Sequence, residues 1–150
     1  GLTEEECQMI SDASRYHDIG KIAVPQHLLL KPGPLSRTEM EQVKRHVVYG
    51  LKMLAHLSGA EVVKTIIATH HEHWDGNGYP RRVKGKEIPL CGRIAAICDV
   101  YDALTSDRPY RAAWSHDQAV SYIRERSGTQ FDATLVELFL RVVTPVGGGV

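Results

Sequence analysis

The sequence predicts an all-α domain, and three observations carry that prediction. Apolar residues recur at helical spacing in four separate stretches, around Met40–Leu54, Val62–Ile67, Ile94–Leu104 and Leu135–Val142. Three helix starts are written as capping boxes, in which a hydroxyl side chain and a residue three positions on satisfy each other's backbone amides: Thr3 with Glu6, Ser36 with Glu39, Ser115 with Gln118. Finally, no stretch alternates apolar and polar residues for long enough to pair as a strand.

Taken in order, the first helix is expected from about Glu4 to Asp18, with Leu2 stapled onto Cys7. Gly20 and Pro25 interrupt the ladder that follows. Residues 26–35, with Pro32-Gly33-Pro34, read as a long loop. Ser36 opens one helix carrying the stripe Met40, Val43, Val47, Leu51 and Leu54. After Ser58-Gly59, a helix over 60–69 buries Val62, Val63, Ile66 and Ile67 and ends at His70-His71. Gly76, Gly78 and Pro80 stop it and begin a second long loop that runs to Pro89. Leu90 to Leu104 is helical, with Ile94, Ile97, Val100, Tyr101 and Leu104 on one face and Asp99 and Asp102 on another. A basic link runs from Thr105 to Ala113, and Trp114 is placed to staple onto Ala119 in the helix capped by Ser115. Asp132 caps the last helix, with Phe131 over Val136 and a face of Leu135, Leu138, Phe139 and Val142. This predicts about six helices in one domain over 1–143, two long functional loops, and a frayed tail over 144–150.

Bulk properties narrow the function. At 150 residues, 43% hydrophobic and 24% charged, the chain has the balance of a single globular domain with its own core. A formal net charge of zero removes the general attraction that a nucleic-acid polymer or a membrane surface requires. Cys7, Cys91 and Cys98 form neither a disulfide framework nor a metal knuckle, and are expected as small buried hydrophobes in a reducing cytoplasm. No apolar run approaches the ~18 residues of a membrane span. Because the chain begins almost inside a helix, a longer parent protein with a signalling architecture is expected.

The chemistry concentrates in His70-His71-Glu72-His73-Trp74-Asp75-Gly76-Asn77-Gly78-Tyr79-Pro80. Adjacent helical residues point about 100° apart, so His70 and His71 suit two ions or two sides of one cavity better than one chelate. Isolated, the pair would be a helix C-terminal cap favoured by the macrodipole. His17-Asp18, His46 and Asp99 change that balance. With His70 and His71 they all fall at helices or helix ends beside apolar stripes, where buried polar groups need partners, and a metal cluster would satisfy all six. His27, His56 and His116 fall in polar surroundings and are expected in solvent. A mixed nitrogen and oxygen donor set suits Fe, Mn or Zn, and two or more such ions could hold a phosphodiester for in-line attack. Lys21 would then face the phosphate.

Between Tyr79 and Arg111, seven basic residues (Arg81, Arg82, Lys84, Lys86, Arg93, Arg108 and Arg111) stand against four acidic ones. That rim suits a small anionic ligand. Tyr79 could stack on a base, and Arg108 and Arg111 could reach guanine edges or phosphates. The plainer reading, a solvated loop, is preferred for Arg81, Arg82, Lys84 and Lys86.

Three motifs in order carry a family resemblance: His17-Asp18-Ile19-Gly20-Lys21-Ile22, the His70 to Pro80 stretch, and Asp99 through Tyr110. Together they resemble the HD-GYP family, a branch of the HD-domain metal-dependent phosphohydrolases, over about Leu2 to Leu140. The resemblance implies an HD-domain helical bundle and a bacterial signalling hydrolase. Its reaction would be hydrolysis of cyclic di-GMP to linear pGpG, in some members on to GMP. It implies His17, Asp18, His46, His70, His71 and Asp99 as metal ligands for two or three irons or manganese. Lys21 would be the lysine at the scissile phosphate, and Tyr79, Asp102, Arg108 and Arg111 would contact the dinucleotide. The family commonly has lysine at the last of these positions. It also implies a protein partner, such as a diguanylate cyclase domain, at the Gly78-Tyr79-Pro80 loop, and a possible dimer through an upstream domain. Further family ligands, a His and sometimes a Glu, belong to a helix upstream of His17. The sixteen residues before His17 hold no His, so those ligands are expected before residue 1. Two rivals stand beside the enzyme: a binding module without catalysis, and a hydrolase of a mixed cyclic dinucleotide.

Overall fold

The structure, a computed structural model, describes residues 1–107 and 112–144. Among them it is all-helical: α1 (Glu4–Ser14), α2 (Gln26–Leu29), α3 (Arg37–Lys44), α4 (His46–Met53), α5 (Glu61–Thr69), α6 (Leu90–Thr105), α7 (His116–Glu125) and α8 (Ala133–Val143). Short 3-10 turns lie at Ile19–Ala23 and Gly85–Glu87. The three expected capping boxes form, with Glu6, Glu39 and Gln118 donating their backbone N–H groups to Thr3, Ser36 and Ser115. Asp132 caps α8 by accepting from the Thr134 N–H.

The helix count departs from about six for local reasons. The first helix ends at Ser14 rather than Asp18, because residues 15–17 close tighter turns onto Asp12, Ala13 and Ser14. One turn of helix, α2, forms inside the first expected loop and buries Leu28. The single helix expected after Ser36 is two, α3 and α4, with the break at Arg45. There the His46 Nδ1–H donates to the Val43 carbonyl at 2.8 Å, a side-chain bond competing with the helical ladder.

Two clusters form the core. Ile66 of α5 packs with Ala13 of α1 and Ala95 of α6; Ala96 and Ile97 of α6 pack with Ile123, Phe131 and Val136 of the α7–α8 hairpin. Helix α6 therefore has one side on α5 and the other on α7 and α8. Several expectations fail here. Leu138 and Val142 of α8 are 51% and 80% exposed, and the helix packs through Leu135, Val136, Phe139 and Leu140 instead. Cys7 and Cys98 are exposed and are not core residues, while Cys91 is half-buried against the Ala13, Ile66 and Ala95 cluster. Arg93 leaves the basic rim and points inward, donating to the Ile88 carbonyl and pairing with Asp132 at 2.7 Å. No described helix is long and apolar enough to cross a membrane.

Two glycines allow the close approaches that bring distant segments together. A Cβ on Gly20 would lie 1.8 Å from the His46 carbonyl oxygen and 2.5 Å from the Gly50 nitrogen, so the Ile19–Ala23 turn lies directly on the α4 backbone. A Cβ on Gly92 would lie 2.0 Å from Thr69 Oγ1, which seats α6 against the last turn of α5. Gly20→Ala should cost about 3 kcal/mol or more because backbone, not a flexible side chain, must move. Gly59→Ala, with φ +76° but open space around it, should cost about 1–2 kcal/mol. Urea unfolding of both variants checks this; equal costs would contradict the close approach.

Candidate metal centre

The first site residues come from the turn after α1. His17 is half-buried, and its Nδ1–H donates to the Ser14 carbonyl at 2.6 Å. Helix α4 starts at His46, whose Nδ1–H is taken by Val43. Helix α5 ends at His70, whose Nδ1–H lies 2.9 Å from the Ile66 carbonyl. In each case one ring nitrogen is committed to the backbone. At His46 and His70 that fixes the tautomer and leaves Nε2 as a lone-pair donor aimed away from the main chain, while His17 Nε2 meets Asp99 Oδ1 at 3.2 Å.

Those nitrogens converge on Asp18. His46 Nε2 lies 3.4 Å and His70 Nε2 4.0 Å from Asp18 Oδ1, while His17 Nε2 lies 3.3 Å from Asp18 Oδ2 and 3.2 Å from Asp99 Oδ1. Two donor groups result, Asp18–His46–His70–His71 and His17–Asp18–Asp99, with the ligand atoms of each within 4.8 Å of one another, so adjacent His70 and His71 meet in one group rather than serving two as their angular spacing predicts. Asp18 belongs to both. Asp18 Oδ1, His46 Nε2 and His70 Nε2 are buried without a hydrogen-bond partner. Three unpaired acceptors facing one another in the interior are costly for a protein alone, at about 1–3 kcal/mol each, and are what a cation would satisfy. The donor chemistry fits a divalent transition metal, with the Asp18 carboxylate able to bridge two ions.

The protonation states follow from the same packing. Burial would lower the His17 pKa, but hydrogen bonds to Asp18 and Asp99 outweigh it and raise it to about 10. Burial and the His17 charge lower His70 to about 4, and burial likewise lowers His46 and His71. Burial opposes ionisation of Asp18 and Asp99, yet His17, and for Asp18 also Lys21, hold both carboxyls below their ordinary range. This packing therefore sets two carboxylates against a protonated His17, with the Lys21 side chain paired to Asp18.

Around this centre, Lys21 sits half-buried with its ammonium on Asp18. It lines a pocket of ≈ 340 Å³ with Leu28, Leu29, Lys31, Leu35 and Val43. Asp102 is exposed on α6 and lines a groove of ≈ 370 Å³ with Ser11, Ser14, Arg15, His17 and Asp99. Tyr79 is half-buried, its ring stacked on His71 at 4.6 Å with the Lys44 ammonium 5.1 Å from its centroid. Arg108 and Arg111 lie outside the described residues. His27, His56 and His116 are exposed, away from the donors, and His116 Nδ1 meets the Tyr101 hydroxyl at 2.8 Å. A wider groove of ≈ 560 Å³ beside Trp114, Tyr122 and Arg126 contains none of the donors.

One site neighbour was not singled out from sequence. Glu72 is 2% exposed, and its Oε1 accepts from the backbone N–H groups of Arg81 and Arg82 at 2.7 and 3.1 Å. A carboxylate just inside a Gly-rich loop is the signal that could have marked it.

The HD domain family profile matches residues 1–135. The chain belongs to the HD-domain family. Among curated proteins, a 3'3'-cGAMP-specific phosphodiesterase 2 of Vibrio cholerae is 45% identical over 142 residues, 93% of this chain and 27% of that protein. The cyclic di-GMP phosphodiesterase response regulator RpfG of Xanthomonas campestris pv. campestris is 45% identical over 143 residues, 94% of this chain and 38% of that protein. The HD-domain chain thus spans well under half the length of these relatives. A crystal structure of a cyclic GMP-AMP specific phosphodiesterase of Vibrio cholerae shares the fold with a TM-score of 0.67 at 23% identity, covering 96% of this chain and 40% of that one.

Because His17 is protonated up to about pH 10 in the metal-free centre and a ligand must be neutral, metal binding must expel its proton. Calorimetry at pH 7.5 in buffers of differing ionisation enthalpy should report release of about one proton per chain, with affinity rising as pH is raised. Binding with no proton release would contradict His17 as a ligand.

Proposed function

We propose that this HD domain is of the HD-GYP branch and hydrolyses a cyclic dinucleotide, with cyclic di-GMP cut to linear pGpG as the principal reaction. The observation that carries the proposal is the meeting of Asp18 Oδ1 with the Nε2 atoms of His46 and His70, all three buried and unpartnered. The relatives named above support the substrate class, since both are cyclic dinucleotide phosphodiesterases by name.

In this reading His46, His70, His71 and Asp18 would hold one divalent ion and His17, Asp18 and Asp99 a second; donor chemistry admits Fe, Mn or Zn, and the family resemblance points to iron or manganese. Two such ions supply Lewis acidity at the phosphoryl group and activation of water for in-line displacement. The protein's own residues do the rest. Nδ1–H bonds to main-chain carbonyls keep the imidazoles from turning. Lys21, tethered to Asp18 at the mouth of its pocket, places a fixed positive charge where phosphate charge develops. Asp102 lies in the groove beside Asp99, within reach of a nucleobase edge, and Tyr79 borders the opposite side at His71. Arg108 and Arg111 are assigned to the substrate on the motif alone. The Gly78-Tyr79-Pro80 loop is the proposed surface for a protein partner, and the cytoplasm, where a nucleotide messenger acts, is the proposed location.

A second reading, cleavage of 3'3'-cGAMP, is favoured by the 45% identity to the Vibrio cholerae enzyme named for that substrate. The deciding experiment supplies the chain with Mn(II), or Fe(II) without oxygen, and offers both dinucleotides in competition. Linear pGpG as the main product supports the first reading; preferential loss of cGAMP replaces it with the second. Asp18→Ala should abolish turnover and metal retention together, and normal turnover by that variant sinks the assignment. Lys21→Met should lower kcat on the order of a hundredfold while leaving bound metal unchanged.

A further inference from the structure

His17, His46 and His70 are each oriented by an Nδ1–H bond to a main-chain carbonyl. Among the described residues no carbonyl takes such a bond from His71. Its imidazole is held by rings instead: His70 at 3.9 Å and 42°, His46 at 5.1 Å edge-on, and Tyr79 stacked at 4.6 Å and 23°. Of these, Tyr79 alone is not itself a candidate ligand, so it is free to serve as a support.

Tyr79 is in turn fixed to the stretch that bears His71. Its N–H donates to the His71 carbonyl at 3.0 Å. Gly78 lies so close that a Cβ there would stand 2.5 Å from both Glu72 Cα and the His71 carbonyl oxygen. On the far side of the tyrosine, the Arg81 and Arg82 N–H groups are gathered by Glu72 Oε1. Glu72 Oε2 is buried without a partner and the residue borders a cavity of ≈ 10 Å³ with Arg93 and Asp132, so the clamp is anchored in the interior. Outside it, the Trp74 and Asp75 N–H groups donate to the Gln130 and Thr129 carbonyls, bracing the loop on the α7–α8 link.

We infer that Tyr79 is a positioning residue for the metal ligand His71, its stacked ring replacing the hydrogen bond that orients the other three histidines, and that Glu72 holds the loop so that the stack persists. The inference rests on His71 being a ligand, as proposed above. It assigns the loop a task in building the metal centre that is separate from any contact with substrate.

The test reads metal binding rather than turnover. Mn(II) affinity of the full chain is measured by calorimetry for the unmodified protein, Tyr79→Phe, Tyr79→Leu and Glu72→Ala, with thermal melts to verify folding. Loss of an orienting partner weakens metal affinity by about 10–100-fold, and that loss is expected for Tyr79→Leu at one of the two ions. Tyr79→Phe, which keeps the ring, should stay within about threefold of the unmodified chain. Glu72→Ala should weaken the same ion, and combining it with Tyr79→Leu should add little, because both act through one stack. Unchanged affinity in Tyr79→Leu, or an equal loss in Tyr79→Phe, overturns the inference. Should Tyr79→Leu fail to fold, Glu72→Ala and Tyr79→Phe still decide it: full affinity in the first, or a large loss in the second, overturns it. If the unmodified chain holds no Mn(II), the metal-centre reading itself fails, and this inference goes with it.

Discussion

The constraint on which the rest of the structure depends is the burial of Asp18 Oδ1 against two imidazole nitrogens that cannot donate to it. With Nδ1–H given to the backbone, His46 and His70 present lone pairs to a carboxylate oxygen, and acceptor faces acceptor across 3.4 and 4.0 Å. Nothing in the local chain favours that arrangement; it is imposed by packing. Gly20 lets the turn after Asp18 lie on the backbone of α4, and Gly92 lets α6 approach the end of α5. With these the core residues Ala13, Ile66 and Ala95 hold α1, α5 and α6 together. A site arranged in this way is preorganised for cations, and the fold bears the destabilisation until they arrive.

The centre is also asymmetric. On one side, His46 and His70 are buried, His71 is half-buried and all three are low in pKa, so protons do not compete for them near neutrality. On the other, His17 is drawn up to about 10 by Asp18 and Asp99 and holds a proton that a metal must displace. Asp18 joins the halves. Lys21 pairs with its outer oxygen and lines the pocket beside it, where the proposed function puts the phosphate. The second loop closes the buried side through Tyr79, and is itself held from behind by Glu72 and the α7–α8 link.

Much of this was legible in the sequence because it depends on local chemistry. Capping boxes, the helix ending at His70-His71 and the cluster of His and Asp beside apolar stripes are short-range patterns, and the helical class follows from them. What was not legible depends on partners far along the chain. The break at Arg45 reflects where His46 has to point. Arg93 reads as one of several rim cations until Asp132, thirty-nine positions on, turns it inward. Leu138 and Val142 look like core by spacing, yet among the described residues no element covers them. Glu72 looks like an ordinary polar loop residue, because the two amides it gathers are nine and ten residues away.

The central claim, that one carboxylate joins two donor groups into a paired metal centre, is tested most directly by anomalous diffraction at the manganese edge from crystals grown with Mn(II). The account predicts two peaks flanking Asp18, one contacted by His46, His70 and His71 and the other by His17 and Asp99. A single ion bound without Asp18, or manganese found only elsewhere on the surface, would contradict it.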